Sequence, residues 1–159
     1  AGGELHGDWH ELRALFERGC LDKYQPDATF SGLSTSARVM AECRRRGLQY
    51  SPHTWTNGIG LLVNLHAFAA WEQRKLLEYP YEPPGWTPQR RDGLIPAITV
   101  APDGTIPVPQ EPGLGIHLQK GWLKVFGKRF FVATPIRVAV KVIRDKGIRT
   151  AMELKKRKV

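Results

Sequence analysis

The strongest constraint on the fold is an alternation of helical and extended segments that repeats about every 25 residues, the pattern of βα units on a parallel sheet. Asp8 offers a cap, apolar residues recur at Trp9, Leu12, Leu15 and Phe16, and Gly19 closes the run, which predicts an amphipathic helix. Residues 20–26, short and bounded by Gly19 and Pro26, read as a strand ending at Asp27. A second helix is expected over about residues 34–46, with apolar positions at Ala37, Met40 and Ala41 and a stop at Gly47. Residues 48–52 form the next strand candidate, ending at His53. A third helix, apolar nearly all round, is expected over about residues 57–75 and leads into the extended residues 76–79.

The texture then changes. Nine of the twelve prolines fall between Pro80 and Pro112, so this stretch is loop and turn. Within it Asp103-Gly104 predicts a tight turn joining residues 98–100 and 106–108 as a small hairpin. From Gln119 the chain becomes basic. Ile136, Val138, Val140 and Val142 alternate as in a strand, whereas residues 148–158 have helical spacing, and the pattern leaves the type of this segment open.

Composition narrows the classes. A 159-residue chain that is 42% hydrophobic and 25% charged can build a core, which excludes wholesale disorder, collagen-like repetition and a coiled coil. The net charge of +9 is unevenly spread: residues 1–117 carry 11 Lys and Arg against 13 Asp and Glu, and residues 118–159 carry 13 against 2. Electrostatic reasoning about nucleic acid or anionic surfaces therefore concerns the tail alone. The terminal run Lys155-Lys156-Arg157-Lys158 lacks interleaved aromatics and any zinc or recognition-helix signature, so nucleic acid is not the expected partner. Cys20 and Cys43 carry no CxxC or zinc pattern, which suits a reducing, cytoplasmic setting. The most apolar stretch, residues 58–71, is shorter than the roughly 20 residues a membrane span requires. Ala1-Gly2-Gly3-Glu4 has no signal pattern and reads as a processed or truncated end.

In a parallel barrel, chemistry gathers at the C-terminal ends of the strands. Those ends here are Glu4, Asp27, His53 and Glu78, separated by 23, 26 and 25 residues, about one βα unit each. Singly, each is accounted for as a solvated loop charge; together they are in phase with the repeat.

The ordered set Ala1-Gly2-Gly3-Glu4, Gln25-Pro26-Asp27 with Gly32, Ser51-Pro52-His53-Thr54-Trp55, Leu77-Glu78-Tyr79, Asp103-Gly104-Thr105-Ile106-Pro107-Val108-Pro109 and Pro112-Gly113-Leu114-Gly115 resembles the mandelate racemase/muconate-lactonizing branch of the enolase superfamily. The resemblance covers about residues 1–118, leaving 119–159 as a basic C-terminal extension. It implies an α/β fold: the C-terminal part of a (β/α)8-type barrel, the region of strands five to eight. It also implies Mg²⁺-dependent abstraction of the proton α to a carboxylate through an enediolate. Glu4 then resembles a metal-binding carboxylate, His53 the general base/acid, Asp27 its partner on the far ring nitrogen, and Glu78 the acid that hydrogen-bonds the substrate carboxylate. Ser31-Gly32 departs from the usual pair of glycines. Dehydration of a sugar acid is the preferred reaction. Racemisation or epimerisation of a 2-hydroxy acid is one alternative, and a non-catalytic fragment with an interaction tail is another.

One carboxylate is not a Mg²⁺ site, so the segment alone is expected to be inactive without the N-terminal barrel half and capping domain. A half barrel also leaves strand edges open, which predicts a homo-oligomer or other association. His6 and His10 stand at i, i+4 without the Glu of HExxH and read as a solvated helix start. His66 reads as a packed core histidine, His117 has no evident partner, Trp55 lies near enough to His53 to wall a site or fill a core, and Trp86 reads as a loop anchor. Arg44-Arg45-Arg46 suits the negative end of a helix, and Lys155-Lys156-Arg157-Lys158 is expected to pack on its own or a neighbouring subunit.

Overall fold

A computed structural model describes residues 1–73, 76–128 and 134–156, and the chain divides into two compact units, Ala1–Trp122 and Leu123–Val159. In the first unit α1 (Trp9–Arg18), β1 (Lys23–Tyr24), α2 (Ala28–Ser31), α3 (Leu33–Arg46), β2 (Gln49–Tyr50), α4 (Gly58–Ala69) and α5 (Pro88–Arg91) follow in order. Next comes α6 (Lys120–Phe126), and α7 (Pro135–Lys156) lies in the second unit.

The helix ends follow from local chemistry. Asp8 Oδ1 accepts from the N–H groups of His10 and Glu11 at 2.7 and 3.1 Å, satisfying two orphan donors of α1. Gly19 ends α1 and Gly47 ends α3 in the left-handed region, at φ 62° and 67°, where a side chain would be strained. The Arg44-Arg45-Arg46 run does have partners: Arg44 bonds Glu72, Arg45 and Arg46 bond Glu42, and Arg46 Nη1 donates to the Phe16 carbonyl at 2.6 Å. That last bond ties the end of α3 to the last turn of α1.

β1 and β2 pair in parallel, with Lys23 opposite Gln49 and Tyr24 opposite Tyr50. Gly2 forms a parallel bridge to Tyr24, closed by Gly2 N to Lys23 O at 3.2 Å and Gln25 N to Gly2 O at 2.7 Å. Three extended segments therefore run in one direction, the α/β arrangement with parallel strands that the repeat implied. Residues 76–79 are not a strand. Side chains join them to the end of β2 instead, through Ser51 Oγ to the Leu76 carbonyl at 2.9 Å and Thr54 Oγ1 to the Glu78 carbonyl. Against the sheet pack the buried faces of α1 and α3 (Leu12, Phe16, Val39, Cys43), with Phe16 stacked on Tyr24 at 3.7 Å between centroids.

Three further expectations change. The third helix stops at Ala69, short of residue 75, and residues 74 and 75 lie outside those described. The Asp103-Gly104 turn forms, with Ala101 N bonded to Thr105 O at 2.8 Å, but residues 98–100 and 106–108 are not strands; Pro107 and Pro109 have no N–H to give a ladder. The tail is helical, α7 being broken at Gly147 (φ 81°, ψ 161°), so the Ile136–Val142 alternation does not mark a strand. Arg157 and Lys158 lie outside the described residues.

The Pro-rich stretch is pinned by a buried ion pair. Arg91 and Asp92 bond at 2.6 Å; Arg91 also donates to the carbonyls of Pro80 and Ile98, and Asp92 accepts from the Ile98 N–H. No described helix is long and apolar enough to cross a membrane.

Candidate active site

Asp27, His53 and the residues after Gly2 each lie two or three positions beyond a parallel extended segment, so they share one end of the sheet. Asp27 is 1% exposed and has two jobs. It caps α2, with Oδ1 accepting from the Thr29 N–H at 2.8 Å and the Thr29 hydroxyl at 2.7 Å. Its other oxygen, Oδ2, stands 3.3 Å from His53 Nδ1. Burial raises the Asp27 pKa, but the bonds from Asn64, Thr29 and His53 outweigh it, and the carboxyl is held below its ordinary value of 3.8.

An ionised carboxylate only accepts, so the proton shared with His53 belongs to Nδ1. In the neutral imidazole Nε2 then carries the free lone pair. The His53 side chain is 26% exposed, open enough for a reactant to reach it and covered enough to keep one orientation.

Glu78 is half-buried and tethered at both oxygens. Oε2 accepts from the Thr54 N–H at 3.0 Å and Oε1 from the Trp55 indole N–H at 3.0 Å. Trp55 lies edge-on to Trp86, centroids 6.2 Å apart, so the Pro-rich loop supports the indole that holds Glu78. Trp55 therefore walls the region of Glu78, and Trp86 anchors it.

Glu4 lies in the turn after Gly2, half-buried, where His6 N bonds Gly3 O at 3.3 Å. As a hard oxygen donor it is of the type Mg²⁺ takes, but it is one carboxylate. Among the described residues no group of three or more His, Cys, Asp or Glu could hold a metal, so these residues do not by themselves make a Mg²⁺ site. His6 and His10 form no metal group either. His66 is half-buried with Nε2 3.3 Å from the Leu114 carbonyl, and His117 sits exposed, 3.4 Å from Glu111.

The residue that sequence reasoning missed is Asn64. It is fully buried on α4, its Nδ2 donates to Asp27 Oδ1 at 2.9 Å, and its Oδ1 accepts from the Ala28 N–H at 2.9 Å. The available signal was an uncharged polar residue interrupting the most apolar helix, which demands a hydrogen-bonding partner. Gly60 lets α4 come close: a Cβ there would sit 3.0 Å from Thr29 Cγ2 and collide with Thr56.

The family model described as Enolase C-terminal domain-like matches residues 1–122. D-galactarolactone cycloisomerase from Agrobacterium fabrum (strain C58 / ATCC 33970) is 28% identical over 132 residues, 79% of this chain and 35% of that protein. A protein designated a mandelate racemase from Rhodobacter sphaeroides superposes with a TM-score of 0.70 at 27% identity, over 84% of this chain and 34% of its own. Another so designated, from Bordetella bronchiseptica RB50 and complexed with 2-oxoglutarate/phosphate, gives a TM-score of 0.71 at 21% identity, over 81% and 34%, a likeness of fold. The chain thus spans about a third of the length of the relatives it matches. With its family match running from Ala1 to Trp122 across the parallel βα units and the Asp27–His53 pair, the chain belongs to the enolase C-terminal domain-like family of the enolase superfamily.

Proposed function

We propose that this chain supplies the base-bearing half of an active site that removes the proton α to a carboxylate, acting on a sugar acid, with dehydration as the outcome. The observation that carries the reading is the buried, ionised Asp27 set 3.3 Å from His53 Nδ1. Protonation of His53 at Nε2 creates an imidazolium whose charge Asp27 offsets, so the proton transfer costs less than it would for a free imidazole. The same His53, once protonated, can return a proton to help a β-hydroxyl leave. One residue thereby serves both halves of an elimination. Sugar-acid chemistry is favoured by the similarity to a cycloisomerase whose named substrate is a galactarolactone.

Glu78 would hydrogen-bond the substrate carboxylate. Its two N–H donors use one acceptor direction on each oxygen, which leaves a second direction on each for a proton shared with substrate. Glu4 would contribute one carboxylate to a Mg²⁺ site whose other ligands lie outside this chain. When bound, the cation would offset the second negative charge that develops on the substrate carboxylate. In this reading the segment of Gly2 and the non-strand residues 76–79 stand at the two open ends of the strand-five-to-eight region of a barrel, closed by further strands or another copy of the chain.

The test uses a preparation in which the remaining barrel strands are present. The unaltered protein should exchange the α-proton of a sugar acid with deuterated water. His53→Asn should abolish that exchange while leaving Mg²⁺ affinity nearly intact; exchange at the normal rate in the variant would remove His53 from the base role.

A further inference from the structure

We propose that Asn64 is a positioning residue for the Asp27–His53 pair: it clamps one oxygen of Asp27 and so leaves only the other for His53. This rests on His53 being the base. The partition between the oxygens is strongly uneven. Oδ1 receives three donors, the Thr29 N–H, the Thr29 hydroxyl and Asn64 Nδ2, whereas the contact described for Oδ2 is with His53 Nδ1. Thr29 alone would tether Oδ1 from α2, a four-residue turn. Asn64 adds a tether from α4, a separate element 37 residues away in the chain.

The orientation of the amide is forced. The Ala28 N–H can only donate, so it must face Asn64 Oδ1, and the Gly60 carbonyl, 3.2 Å from Nδ2, can only accept. A flipped amide would set two donors against each other at Ala28 and two acceptors against each other at both Asp27 and Gly60. Nδ2 therefore points at Asp27 in every state of the site, with no reorganisation when the pair takes up a proton. Among the described residues, His53 is in contact with Asp27 and the buried Tyr50 phenol feels its charge. Neither supplies a donor to Oδ1, so that task falls to Thr29 and Asn64.

The conservative variant Asn64→Asp keeps an acceptor for Ala28 but replaces the donor facing Asp27 with a second carboxylate oxygen. Two buried carboxyls at this separation must share a proton. NMR of the full chain, following the carboxyl carbons and the His53 ring nitrogens, should show a carboxyl titrating above the ordinary range in the variant and a reduced share of the Nδ1–H tautomer. Both carboxyls ionising in the ordinary range, with the tautomer unchanged, would overturn the proposal. Should the variant not fold, acid titration of the unaltered chain decides: the Asn64 side-chain amide signals must move in step with Asp27, and signals that stay flat through the Asp27 transition refute the clamp. These readouts need no turnover. Intact NMR signatures without α-proton exchange would sink the catalytic reading alone, and exchange with unresponsive signatures would sink the clamp alone.

Discussion

The two units of this chain use their hydrophobic residues in opposite ways. In Ala1–Trp122 the apolar faces of α1 and α3 are sealed against the parallel segments, with Leu12 and Val39 at 0% exposure. In Leu123–Val159 all the Ile and Val residues of α7 but the half-buried Val142 remain open, Ile136 at 77% and Val140 at 58%, among Lys and Arg side chains. Charge divides the same way, the basic excess falling in residues 118–159. The lesson is that neither apolar content nor a basic isoelectric point describes the molecule as a whole. The family-matching unit has a near-neutral surface and a polar network inside its core, and the tail has helical periodicity without comparable burial.

Substitutions sharpen this contrast, beginning with the largest effect. Arg91→Met leaves Asp92 buried, charged and unpaired, and should cost about 3–5 kcal/mol in urea unfolding. A loss below 1 kcal/mol would show that the Pro-rich stretch is not held by this pair. Leu12→Ala should cost about 2–5 kcal/mol, whereas Ile136→Ala in α7 should stay within about 0.5 kcal/mol. Equal losses at the two sites would erase the distinction between the units.

The smallest effect is in the acid limb. The folded-state pKa of Asp27 lies below its ordinary 3.8, so its contribution is fully present above that value and is lost as pH falls through the folded value. Asp27→Asn should lower stability at neutral pH and flatten the pH dependence below about pH 4 in thermal melts. An unchanged acid limb would mean that the Asp27 network gives the ionised form no preference.

Much of the fold was legible because its signals are local. Asp8, Gly19 and Gly47 act on their own helix ends, so α1 and α3 could be bounded from composition and spacing. The strands expected at 20–26 and 48–52 form but are only two residues long, at 23–24 and 49–50, and residues 76–79 form none, since Ser51 and Thr54 replace ladder bonds to them with side-chain bonds that have no periodicity. In the tail, Ile136, Val140 and Ile143 satisfy helical spacing while 136, 138, 140 and 142 satisfy strand alternation, and β-branched residues fit both patterns. Glu4, Asp27, His53 and Glu78 could be singled out by their phase with the repeat. Asn64 shows in the sequence only as a polar residue interrupting an apolar helix; its partner could not be named, because Asp27 lies 37 positions away and only the close approach at Gly60 brings α4 to it.

The central claim is that an ionised Asp27 makes His53 a base at Nε2. The ¹⁵N shifts of His53 in the unaltered chain, at a pH where the ring is neutral, test it most directly. A ring protonated at Nδ1 with a bare Nε2 is the predicted result. A ring protonated at Nε2, with Nδ1 bare beside the Asp27 carboxylate, would contradict it.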